Sequence, residues 1–228
     1  MNSFNFQKKR EAVKNRILSA RLSAVYFLLI ALLLFFMIAW TVFISEGRSM
    51  DEKVFIFLSR YTNGGNTKLM IFISFLGNHT FLIPANLLLI IFFIVRKKRG
   101  LAIRVAIVAF SNLFFMSLLK RLFHRIRPDN PLIHGITNFS FPSGHAFMSI
   151  AFYGFLIWYA GVSIDNKRTE RMIIALLLFI ILAIGFSRIY LRLHYTTDVL
   201  AGFCIGFAFL MIILWLTDKL QEPREIIT

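Results

Sequence analysis

Six apolar runs, each long enough to cross a bilayer, decide what this chain can fold into. They cover residues 24–44, 69–95, 101–119, 146–164, 172–190 and 199–216. About 20 apolar residues at a rise of roughly 1.5 Å span the ~30 Å of a hydrocarbon core. Backbone N–H and C=O groups find no water at that depth, so each run must satisfy its own as a helix. The expected fold class is all-α, a polytopic membrane protein with six transmembrane helices. Composition agrees, because 58% hydrophobic residues with 27 Phe in 228 is too apolar for a soluble globule. The domain expectation is a basic cytoplasmic segment at 1–23, a six-helix domain at 24–216 and a short cytoplasmic tail at 217–228. The first run exceeds the ~7–15 residues of a signal-peptide core and lacks a small-residue cleavage pattern after it, so it is read as a first crossing.

The second run is interrupted by Gly77, Asn78, His79 and Thr80. It is therefore expected to be an interfacial helix ending at Leu76, followed by a crossing over 80–95. Before it, residues 46–68 are polar, with a short amphipathic piece at 54–58. Gly202 and Gly206 in the last run give a small-xxx-small spacing, read as close helix packing without functional weight. Cys204, the one cysteine, has no partner in the chain and reads as a packing residue.

A net charge of +15 rests on only 16% charged residues. Most basic residues flank the apolar runs, where they meet lipid headgroups, and nucleic acid is not the expected partner. With the N-terminus inside, the inner segments hold 16 Lys and Arg and the outer segments 10. Six of those ten lie at or near Lys120, Arg127 and Arg188. The positive-inside rule thus favours both termini in the cytoplasm, and puts the third-to-fourth and fifth-to-sixth loops together on the outer face.

Three motifs gather on that face: Lys120-x6-Arg127-Pro128, Pro142-Ser143-Gly144-His145, and Ser187-Arg188-x5-His194-x3-Asp198. Lys120, Arg127 and Arg188 are fixed cations of the kind needed to desolvate a phosphate ester, and arginine matches phosphate oxygens with a planar fork. Ser143 and Gly144 open the fourth run, where the N–H groups of a helix N-terminus favour anions. His194 and Asp198 are four apart, so on a continuous helix they share one face. A carboxylate on one ring nitrogen fixes the tautomer and frees the other nitrogen to attack. His194 is expected at a helix end, outside the packed interior. His124 and His134 are read as loop residues without catalytic duty, as are Arg121, Arg125 and Arg192 unless they meet the lipid headgroup.

In these three motifs the chain resembles the type 2 phosphatidic acid phosphatase superfamily, whose signature is KxxxxxxRP, PSGH and SRxxxxxHxxxD in this order. All eleven fixed positions match. The resemblance implies a lipid phosphate phosphatase with His194 as nucleophile, Asp198 orienting it and His145 as general acid. It implies phosphate binding by Lys120, Arg127, Ser143, Gly144 and Arg188, with no metal and no cofactor. Implied substrates are lipids of the phosphatidylglycerol phosphate, phosphatidic acid, undecaprenyl pyrophosphate or lipid A type, in the cell membrane. The alternatives are a phosphotransferase using the same phosphohistidine and a non-enzymatic lipid transporter.

Overall fold

The computed structural model describes residues 2–44, 48–136 and 138–221. Eight helices follow in order: α1 (Asn2–Phe43), α2 (Arg48–Ser59), α3 (Gly64–Phe75), α4 (His79–Val95), α5 (Arg99–Leu122), α6 (Gly144–Ser163), α7 (Lys167–Tyr190) and α8 (Thr196–Gln221). No strand occurs among the described residues. Six stretches are long and apolar enough to cross a membrane: Leu22–Phe43, Gly64–Val95, Arg99–Leu122, Gly144–Ser163, Lys167–Tyr190 and Thr196–Asp218. The chain is a multi-pass membrane protein, as its hydropathy requires.

The expected break in the second run is present. α3 ends at Phe75 and α4 starts at His79, where the Asn78 side chain accepts the Thr80 N–H at 3.1 Å and caps the new helix. Gly77 sits between them because a Cβ there would lie 2.5 Å from Ile184 Cγ2. The amphipathic piece also forms, as the longer helix α2. Its inward positions are Asp51, Val54, Phe55 and Leu58, spaced i, i+3, i+4, i+7, and Met50, Ile56 and Phe57 face outward.

α8 packs on α6 and α1, α7 on α6 and α3, and α4 on α5. Lipid is as apolar as leucine, so shape and close approach hold such a bundle more than water exclusion does. Phe35, Phe93, Phe141, Phe147, Phe155 and Phe209 fill its centre. Gly206 permits the α6–α8 contact, since a Cβ there would meet the Phe147 carbonyl oxygen at 3.0 Å. Phe110 and Phe114 are exposed on α5, as suits a surface that meets lipid. Cys204 is half-buried at the rim of the central cluster.

At one end of the bundle, Arg104 is buried over the Trp158 ring and bonded to Asp218 at 2.7 Å. At the other end four termini converge: the C-terminal ends of α5 and α7 and the N-terminal ends of α6 and α8. All three motifs lie there.

Candidate active site

His194 and Asp198 meet, but by a route other than a continuous helix. α7 ends at Tyr190, Arg192 takes a left-handed φ of 52°, and α8 begins only at Thr196. Asp198 is thus the third residue of α8, and its Oδ2 reaches back to accept the Tyr195 N–H at 2.9 Å. This is the carboxylate half of a capping box. His194 lies in the intervening loop, with its N–H and that of Leu193 donated to the Arg188 carbonyl. Leu191 and Leu193 are buried against Met70, Leu132 and Ile133, and they draw the loop inward. His194 is consequently 1% exposed, a packed residue where the sequence suggested a peripheral one.

His194 Nδ1 is 3.6 Å from Asp198 Oδ2, too long for a hydrogen bond. Ser140 fills the gap: its hydroxyl donates to Oδ2 at 2.5 Å and lies 3.4 Å from Nδ1. On the far side of the ring, an Arg127 Nη1 hydrogen points at His194 Nε2 across 3.2 Å. A guanidinium only donates, so Nε2 carries the lone pair and Nδ1 the proton. Burial, then the cations of Arg127, Arg188 and Lys120, hold the His194 pKa well below its ordinary value. Both effects favour the neutral imidazole, whose Nε2 lone pair faces the Arg127 donor.

Arg127 spends its other donors on loop carbonyls. Nε donates to Asn138 O at 2.7 Å, Nη2 to Asn138 Oδ1 at 2.5 Å, and Nη1 also to Leu193 O. Burial lowers its pKa to about 10, against the pull of Asp198, which leaves it charged near neutrality. Lys120 Nζ donates to Phe139 O at 3.3 Å. Arg188 is buried, donates to Ser74 Oγ at 2.6 Å and keeps Nε without a partner.

The PSGH segment enters through a cis Phe141–Pro142 bond and starts α6. Ser143 is its N-cap, accepting the Ala146 N–H at 3.5 Å, and the Ser143 N–H donates to the Asp198 carbonyl at 2.9 Å. Gly202 is what lets α8 come this close, because a Cβ there would stand 2.6 Å from the Ser143 carbonyl oxygen. That glycine, read from sequence as packing alone, sets the spacing between two site segments. Gly144 lies against the Lys120 stem, its virtual Cβ 3.8 Å from Lys120 Cε. His145 packs beside Gly77, and its Nε2 is buried without a partner. The eight residues singled out in the sequence therefore gather at one end of the bundle.

The sequence reading missed others. Arg125, taken for a loop residue without duty, is largely buried and bonds Asp198 Oδ1 at 2.5 Å and Asp51 Oδ2 at 3.0 Å. Ser140 was not singled out at all. One signal was available for Asp51: it falls on the same helical face as Val54, Phe55 and Leu58, and a carboxylate on a buried face calls for a cation.

Fold and site together define a polytopic helical membrane protein with a buried histidine among three fixed cations at one end of its bundle. The chain belongs to the PAP2 superfamily, whose family model matches residues 100–222. It is similar to phosphatidylglycerophosphatase B of Bacillus subtilis, 26% identical over 199 residues that cover 86% of this chain and 98% of that protein. Among solved structures it resembles a transmembrane PAP2-type phosphatidylglycerolphosphate phosphatase from Bacillus subtilis, with a TM-score of 0.78 and 25% identity, covering 87% of this chain and all of the other. The fold also matches LpxE of Aquifex aeolicus at a TM-score of 0.56 and 22% identity, over 73% of this chain and 96% of that one.

Proposed function

We propose that this protein, a phosphoric ester hydrolase of the membrane, removes phosphate from a lipid headgroup without a metal ion. The observation that carries the reading is the Arg127 Nη1 donor 3.2 Å from His194 Nε2, which makes that ring nitrogen the one with the lone pair. In the first step Nε2 bonds to phosphorus, the bond from phosphorus to the lipid oxygen breaks, and His145 gives a proton to that oxygen. In the second, water attacks the phosphohistidine, His145 takes the water proton and phosphate leaves. Lys120, Arg127 and Arg188, with the Gly144 N–H and the Ser143 hydroxyl at the N-terminus of α6, hold the phosphoryl oxygens as charge builds on them. Three cations then supply the charge stabilisation that metal ions provide elsewhere.

A lipid substrate is supported by an apolar cavity of about 260 Å³ between α4, α5 and α6. Leu82, Ile83 and Leu87 line it from α4, Val108 and Asn112 from α5, and Met148 from α6. Met148 is one helical turn from His145, and Asn112 two turns from Lys120, so a phosphate bound at the cluster leaves a chain free to lie in this cavity. The similarity to phosphatidylglycerophosphatase B puts a phosphatidylglycerol phosphate headgroup first among the candidates. Phosphatidic acid, undecaprenyl pyrophosphate and lipid A phosphates follow. Charge distribution supports both termini in the cytoplasm and the site at the outer face of the cell membrane.

The test is phosphate release by the purified, detergent-solubilised protein from those four lipids in excess EDTA, with His194→Ala as control. Release by the parent alone is expected. Equal release by His194→Ala, or release abolished by EDTA, overturns the mechanism.

A further inference from the structure

The carboxylate that faces His194 is itself held by a charge pair reaching outside the three motifs. Arg125 Nη1 donates to Asp198 Oδ1 at 2.5 Å and to Thr197 Oγ1 at 2.8 Å, and Nη2 donates to Asp51 Oδ2 at 3.0 Å. The guanidinium carbon lies 4.0 Å from the centre of the Tyr195 ring, so its plane is fixed by stacking as well as by bonds. Asp51 is 0% exposed. Its Oδ1 accepts the Thr197 N–H at 3.1 Å and its Oδ2 accepts the Thr197 hydroxyl at 2.8 Å. One carboxylate on α2 therefore both orients Arg125 and caps the N-terminus of α8, the helix that carries Asp198.

We infer that Arg125, clamped between Asp51 and Asp198, is a positioning residue for the nucleophile's carboxylate, and that α2 belongs to the catalytic apparatus through Asp51. The inference rests on the phosphohistidine reading above. Asp198 carries three donors, from Arg125, Ser140 and Tyr195, and only Oδ2 faces His194. Arg125 takes Oδ1, so the carboxylate cannot rotate without breaking a buried ion pair. Asp51 is the second carboxylate on this guanidinium, which is thereby held from both sides. Lysine in place of Arg125 offers a point charge and cannot span both carboxylates in one plane.

α2 is anchored for this task. Val54, Phe55 and Leu58 pack with Ala146, Ile189 and Val199, and Phe55 lies against Tyr195, with ring centres 5.7 Å apart. The following turn is tied down by the Tyr190 hydroxyl, which donates to Tyr61 O at 3.0 Å. Displacing α2 would draw Asp51 from Arg125 and loosen Asp198 with it.

The test is steady-state phosphate release in detergent, from whichever of the four lipids above the parent hydrolyses fastest, by the parent, Arg125→Gln, Arg125→Lys, Asp51→Asn and His194→Ala, with the thermal unfolding of each. The positioning role predicts that kcat falls by about 10- to 100-fold in Arg125→Gln and Asp51→Asn, the range seen when an oriented histidine loses its outer partner. KM stays within about threefold, because neither residue is assigned to phosphate, and a cation that binds phosphate would raise KM instead. Guanidinium added to Arg125→Gln restores part of kcat, an effect that lost folding stability does not produce. If Arg125→Gln does not fold, Arg125→Lys decides, with kcat lowered and KM kept. A kcat within twofold of the parent in the folded variants, or a KM rise that accounts for the whole loss, overturns the inference while the phosphatase reading stands. A parent that releases no phosphate from any of the four lipids overturns both.

Discussion

Gly202 offers the sharpest test of how the two histidine segments are held in register. A Cβ built there lies 2.6 Å from Ser143 O and 3.4 Å from Ser143 N, both backbone atoms at the start of α6. Relief from 2.6 Å to an ordinary contact of 3.4 Å requires Ser143 and α8 to separate by about 0.8 Å, and the Ser143 N–H to Asp198 O bond of 2.9 Å spans the same gap. A misplacement of ~1 Å costs on the order of 10² in rate, so Gly202→Ala should lower kcat by roughly 10- to 30-fold, or about 1.4 to 2 kcal/mol. Gly154→Ala is the matched control. It adds a methyl to the same α6–α8 contact, 2.8 Å from Leu210 Cδ2, the free end of a side chain that can turn aside. Both changes gain about 1 kcal/mol of helix propensity, which masks part of any packing cost in thermal unfolding and leaves activity as the informative readout. The assay is phosphate release from phosphatidylglycerol phosphate at saturating concentration, alongside the unfolding temperature. A Gly202→Ala protein within twofold of the parent, or an equal loss in Gly154→Ala, would refute the claim that this glycine sets the site's spacing.

Three further outcomes are expected. His194 is buried neutral with a pKa below its ordinary value, so the unfolded chain takes up a proton that the folded one refuses as pH falls below about 6.5. Stability drops through that window, and the parent should lose more unfolding temperature between pH 7.5 and 5.5 than His194→Gln does. The acid limb of kcat/KM attributable to His194 likewise lies below about pH 6.5, and a limb at or above that value contradicts a neutral resting nucleophile. Asn130 is exposed in the loop between α5 and α6. With Cys204 replaced by alanine, Asn130→Cys should react with a membrane-impermeant maleimide on intact cells, and labelling only after permeabilisation would reverse the proposed topology.

The helices were legible because apolar length and helix breaks are local properties. The bilayer demands about 20 residues per crossing, and a cap such as Asn78 lies two residues from the N–H it satisfies. The gathering of the eight candidate residues was legible because they fall in short motifs at the ends of those runs. The loop at His194 was misread for a physical reason: i, i+4 spacing cannot distinguish a continuous helix from a helix that starts between the two residues, and the left-handed Arg192 carries no glycine to announce it. Asp51 and Arg125 stand 74 residues apart, and Ser140 is 58 residues before Asp198. Nothing in one sequence selects such pairs among the other charges and hydroxyls. The amphipathic phase of α2 marked Asp51 as buried, and topology alone supplied its partner.

The resting arrangement of Arg127 bears on how the proposed reaction begins. Its guanidinium is bonded to neutral acceptors, Asn138 O, Asn138 Oδ1, Phe139 O and Leu193 O, while one hydrogen covers the Nε2 lone pair of His194. In that state the nucleophile is held in its reactive tautomer but masked. A phosphate dianion competes for the same donors with charge-assisted bonds roughly twice as strong as neutral ones. Arg127 would then turn from Nε2 to a phosphoryl oxygen, which unmasks the lone pair as phosphorus comes within reach. Water carries no such charge and has less claim on the guanidinium, so in the proposed reaction the arginine that binds substrate would also protect the histidine between turnovers. On this argument Arg127→Lys should impair binding and attack together, raising KM and lowering kcat, whereas Arg125→Lys lowers kcat alone. Two arginines separated by one residue would thus be told apart by the kinetic constant each one moves.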